Sequence, residues 1–176
     1  MVYGSKFLAL ALMSFVLVNI VIICGVFNQV VNGYFNFELD MYFTDLYLIE
    51  LPRYINIILL AFFVHSIVTN KFLGHVIAIA IWLVFFGING IGDVDNNLYL
   101  FSYIPRYILS DMNGFGHYAQ SLFWFRFYWM TCGGFLIVIG YLFWRRGMDT
   151  GFKARMNLAK SRLNGATLSV LMLMLV

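Results

Sequence analysis

The run FLALALMSFVLVNIVIICGVF, residues 7–27, carries no charge over 21 residues. Wound as a helix at about 1.5 Å per residue, it crosses the ~30 Å hydrocarbon core of a bilayer. Three more long apolar stretches follow, at about 51–68, 72–91 and 120–144. In lipid every backbone N–H and C=O must be satisfied within the protein, and an uninterrupted helix does this. The expected fold is therefore an all-α membrane protein, a polytopic helical bundle with four complete transmembrane helices. Charged residues make up only 11% of the chain, against roughly 25% in soluble domains. The first run exceeds the ~7–15 apolar residues of a signal peptide, and no small-x-small cleavage site follows it. Ile23 ahead of Cys24 also spoils a lipoprotein-type site. The run reads as a retained helix.

The connections carry the charge. Eight of the eleven basic residues are Lys6, Lys71 and the run Arg145, Arg146, Lys153, Arg155, Lys160 and Arg162. Seven of the eight acidic residues are Glu38, Asp40, Asp45 and Glu50, then Asp93, Asp95 and Asp111. The alternation is a topology signal rather than a nucleic-acid footprint. Basic loops stay cytoplasmic, which places the N-terminus, Lys71 and the 145–164 linker inside and both acidic segments outside. The expected location is the cell (inner) membrane, crossed several times.

Residues 28–50 read as an interfacial amphipathic segment, with Phe35, Leu39, Tyr42, Phe43, Leu46 and Ile49 at helical spacing and the acids between them. Pro52 suits the first turn of the next helix. Thr69-Asn70-Lys71 is a very short turn, so the second and third spans form a tight hairpin. Residues 92–119 form an extracytoplasmic loop of about 28 residues, a length more common in functional loops than in plain connections. The final run GATLSVLMLMLV, 165–176, reads as the start of a fifth helix, and the chain as a piece of a longer protein.

The loop enters the fourth span through SDMNGFGHYAQSLFWFRFYW, residues 110–129. Asn113, Gly114 and Gly116 suit a tight turn. Arg126 lies early in the helix, where a cation snorkels to the headgroups or pairs with Asp111 across the turn. Trp124, Tyr128 and Trp129 read as an outer aromatic belt, Tyr141 and Trp144 as an inner one. Asp111, Asn113, Gly114, Gly116, His117 and Arg126 are the candidate functional loop.

Other chemistry is thin. His65 lies deep in the second span with no intramembrane carboxylate to pair with, so a bonded neutral imidazole outweighs a proton relay. His75 reads as interfacial. Gly133, Gly134 and Gly140 allow close helix approach. GINGIG lacks the spacing and the Lys-Ser/Thr of a phosphate loop. Cys24 and Cys132 sit in apolar runs without metal-ligand spacing. No catalytic, cofactor-binding or metal-binding constellation is expected.

LPRYINIILLAFFVHSIVTNKFLGH, then YILSDMNGFGH, then LFWFRFYWMTCGGFLIVIGYLFWRRG together resemble a bacterial family. Its members are large membrane proteins in which an ABC transporter permease is fused to a zinc aminopeptidase. The shared pattern falls here on Asn70, Lys71, Gly74 and His75, on Ser110 through Gly116 with His117, and on Trp144 through Gly147. It covers most of residues 45–165. The resemblance implies the permease half of such a protein, with the His-Glu-x-x-His peptidase lying beyond the C-terminal end and no peptidase activity in this chain. It implies as partners the lipid bilayer, further transmembrane helices or a homodimer mate, and a separate ATP-binding subunit; nucleic acid is not expected. A basic linker with Arg145, Arg146, Lys153 and Arg155 is then the candidate coupling element. The competing expectation is a membrane anchor for an extracytoplasmic peptidase or partner.

Overall fold

The computed structural model describes residues 2–91, 97–108, 114–144 and 152–173. Within them the chain is helical, and four helices are long and apolar enough to cross a membrane. Helix α1 runs Val2–Val31. It is rich in β-branched residues, which weaken helices in water, but in lipid the backbone has no outside partner and the helix persists. Its polar side chains bond inward: Ser14 Oγ donates to the Leu10 carbonyl at 3.1 Å and Asn19 Nδ2 to the Phe15 carbonyl at 2.8 Å. Gly33, at φ 75°, turns the chain after α1.

Helix α2, Leu39–Phe43, passes into a π-helical turn, Thr44–Glu50, and then into α3, Leu51–Ile67. The three form one span candidate, Leu39–Ile67. The expected interfacial segment at 28–50 therefore falls partly on α1 and partly on the helix that leads into the second span. Residues 28–31 complete α1, and the acidic stretch from Leu39 extends the second span's helix. Pro52 supplies the reason for the π-turn: it has no N–H to give and its ring crowds the carbonyl one turn back. The wider π winding just before it relieves both.

Helix α4, Lys71–Ile91, returns antiparallel to α3. The Asn70 side chain accepts the Phe72 N–H at 3.0 Å, an N-cap for α4. A short 3-10 turn, Asn97–Tyr99, leads into the loop. Helix α5, Tyr118–Phe143, then runs parallel to α3, after Gly114 at φ 56° and Gly116 at φ 50° make the expected turn. Helix α6, Phe152–Arg162, covers part of the basic linker, and α7 is Gly165–Leu173.

The densest packing is between α3 and α5. A Cβ on Gly133 would overlap Asn56 Oδ1 and come within 2.7 Å of Leu59 Cδ1. Glycine here lets two backbones close on each other, as the small-residue reading of this helix expected. Helix α1 packs antiparallel along the 39–67 helix. Phe7 meets Phe62 edge-on at 6.1 Å, Phe15 meets Tyr47 at 5.5 Å, and the Tyr47 hydroxyl donates to Asn19 Oδ1 at 2.8 Å.

Candidate functional site

Arg126, Trp129 and Gly133 fall on one face of α5 by their i, i+3, i+7 spacing, and that face turns toward α3. Arg126 is 5% exposed, Asn56 0% and Ser102 4%. Arg126 Nη1 donates to the Ser102 carbonyl at 3.0 Å, and Asn56 Nδ2 to Ser102 Oγ at 3.4 Å. Ser102 has φ 60°, a left-handed backbone that costs a non-glycine residue roughly 1–2 kcal/mol. That conformation places both its carbonyl and its hydroxyl against the bundle. Phe101 beside it packs edge-on against Trp129 at 5.2 Å. The loop is therefore pinned into the α3–α5 seam at Phe101 and Ser102.

A second set of contacts surrounds the first. The Tyr107 hydroxyl donates to Asp45 Oδ1, and Arg53 pairs with Glu50 at 3.4 Å. Burial, then the hydrogen bond to Asp45, then the charges of Asp45 and Glu50 push the Tyr107 phenol well above its usual range. Glu50 and Asp45 are also within electrostatic reach of Arg126. Because the π-turn carries Asp45 and Glu50 into the bundle's helix, the acids face the loop. Arg126 further edges a groove of about 490 Å³ between Leu48 and Ile49 on one side and Phe123 and Phe127 on the other.

Arg126 thus departs from the expected snorkelling side chain. It points into protein, and its Nε and Nη2 have no hydrogen-bond partner among the described residues. Trp129, expected in the outer belt, is 6% exposed and belongs to this seam. Trp124 and Tyr128 do face outward. The cause is helical phase: Arg126 and Trp129 share the α3-facing stripe, while Trp124 and Tyr128 lie off it. His117 is exposed, its ring 4.0 Å from that of Tyr118. Asp111 and Asn113 lie outside the described residues, as do Arg145 and Arg146; Lys153 and Arg155 lie on α6. The sequence reading missed Asn56, Ser102, Tyr107 and Asp45. Only Asn56 gave a signal, a carboxamide in an apolar span.

At the opposite end of the bundle, Arg162 of α6 reaches back to α5. Its Nη1 donates to the carbonyls of Tyr141 at 2.9 Å, Leu142 at 3.3 Å and Trp144 at 2.6 Å. A cation on the last carbonyls of a helix satisfies orphan acceptors and complements the helix dipole. Lys6 lies over the Trp144 ring at 5.9 Å, so the start of α1 joins the same end.

The groups gathered under Ser102 are an amide, a guanidinium, a phenol and carboxylates, a set suited to holding and orienting. Among the described residues, no cluster of three or more His, Cys, Asp or Glu side chains is placed to hold a metal. No family model matches the sequence, and no curated protein or solved structure matches it.

Proposed function

We propose that this chain is a membrane-embedded permease region of an ABC-type transport system, as the resemblance over residues 45–165 implies. The observation that best supports this reading is the attachment of α6 to α5 through Arg162. A basic helix clamped to the end of a span can pass a push from a soluble ATPase into the bundle. Through α5 that push reaches the Arg126 seam with α3. Polar groups inside a membrane bundle commonly mark a substrate path. In this reading the basic end is cytoplasmic, and Arg145, Arg146, Lys153 and Arg155 belong to the docking surface.

One observation favours the anchor reading instead. The loop is fixed to the bundle at Ser102, which suits a rigid platform for an extracytoplasmic domain.

Photo-crosslinking in native membranes separates the two. A crosslinker at exposed Asn157 on α6 should capture an ATP-binding polypeptide under the permease reading. Capture only from Tyr99, 74% exposed on the loop side, with no ATP-binding adduct from position 157, would replace it with the anchor.

A further inference from the structure

Helix α1 ends at Val31, and Gly33 turns the chain so that the acidic start of the 39–67 helix lies beside the last turns of α1. Gly25 sets how closely the two approach. A Cβ on it would stand 3.0 Å from Tyr42 Cε1 and 3.3 Å from the Tyr42 hydroxyl oxygen, so the bare glycine lets the Tyr42 ring lie against α1. Beyond this contact, α1, the turn and the 39–67 helix form a cleft of about 410 Å³.

The lining of the cleft has one electrostatic character. Glu38 and Asp45 supply carboxylates, Gln29 and Asn36 carboxamides, and Tyr34 and Tyr42 aromatic rings. Among the described residues, no lysine, arginine or histidine lines it. Asp45 is held in place by the Tyr107 hydroxyl, which donates to its Oδ1. Gln29 Oε1 is a buried acceptor with no hydrogen-bond partner among the described residues, so its partial charge adds to the negative field of the two carboxylates.

A bare metal ion is far smaller than this cleft, whose volume is that of a small-molecule site, about 300–1,000 Å³. Aromatic faces beside carboxylates attract organic cations. Carboxylate oxygens accept and do not donate, so an ammonium that carries N–H groups gains charge-assisted hydrogen bonds that a quaternary one lacks. We propose that this cleft binds a primary ammonium group, carried by a lipid headgroup such as that of phosphatidylethanolamine or by a free amine. The site lies at the loop end of the bundle and holds whether the chain is a permease region or an anchor.

The test uses the full chain, offered an equal mixture of phosphatidylethanolamine and phosphatidylcholine with the same acyl chains. Native mass spectrometry then counts the lipids retained. Wild type should prefer phosphatidylethanolamine by at least about threefold, the worth of one modest hydrogen bond. Glu38→Gln and Tyr34→Ala should each lose the preference. Tyr34 is 48% exposed and the Glu38 side chain makes no cap bond to α2, so neither change threatens the fold. Asp40→Asn, at an exposed acid of α2 outside the cleft lining, should keep the preference. A free amine as the ligand would show instead as soluble ethanolamine raising the unfolding temperature of wild type but not of Glu38→Gln, with no lipid preference. Equal retention of both lipids with no effect of ethanolamine would overturn the site. So would a preference for phosphatidylcholine, a preference for phosphatidylethanolamine that either cleft variant keeps, or one that Asp40→Asn removes.

Discussion

Arg126 sets the terms at the scale of single residues. Each buried donor left without an acceptor costs about 1–3 kcal/mol, and two of the guanidinium's nitrogens are in that condition among the described residues. Asp111, which precedes the glycine turn, is the carboxylate whose place in the sequence suits them. Breaking a buried ion pair from one side costs about 3–5 kcal/mol. Asp111→Asn and Arg126→Gln should each lower the heat resistance of the folded protein in detergent, and the double variant should lose little more than the worse single. Losses that simply add would remove the pair. Tyr107 gives a pH test. A phenol raised by burial and by Asp45 contributes stability that is whole below the unfolded value of about 10 and declines as pH climbs beyond it. Wild type should therefore lose more unfolding temperature than Tyr107→Phe between about pH 9 and 11. Parallel curves for the two proteins would show that the phenol's environment contributes nothing.

At the scale of elements, the π-turn is the feature that decides which way the acids face. An α-helix advances about 100° per residue, so one residue removed from Thr44–Glu50 would rotate everything N-terminal to it by that amount. Tyr47 would leave Asn19 and Asp45 would leave Tyr107. Leu48 is 65% exposed, so its deletion removes no core side chain. The expected outcome is loss of a short bis-maleimide crosslink between cysteines at positions 19 and 47, with the α3–α5 seam intact. A crosslink that persists would mean the helix absorbs the deletion elsewhere. The spans themselves were legible in the sequence because lipid demands length and apolarity, which a single strand of text displays. The π-turn was not, because the 3–4 spacing of Leu39, Tyr42, Phe43 and Leu46 looks the same whether the helix stops at the membrane surface or continues. The pairings Arg126–Ser102 and Tyr107–Asp45 were equally hidden. Each joins separate elements, and periodicity reports which face of a helix is apolar, not which neighbour covers it.

Orientation belongs to the whole molecule. The packing gives the bundle two distinct ends. One carries the loop with Ser102 and Tyr107 over Arg126; the other gathers Lys6, the Asn70 turn, the end of α5 and α6. Lys6, Lys71, Lys160 and Arg162 all belong to the second end, and Asp45 and Glu50 to the first. The alternating direction of the helices therefore places these charges at the two ends as the sequence alternation assigns them. Basic residues resist translocation, and each lysine or arginine near an anionic leaflet gains about 1 kcal/mol. The basic end should face the cytoplasm. With Cys24 and Cys132 replaced by serine, single cysteines at Tyr99 and at Lys160, both exposed, make this measurable in intact cells. A membrane-impermeant maleimide should label position 99 at once and position 160 only after the membrane is opened. The reverse pattern would invert the bundle and place α6 outside, away from any cytoplasmic ATPase. Labelling of both positions from outside would break the four-span arrangement itself, since an even number of crossings separates α6 from the N-terminus and an odd number separates it from the loop.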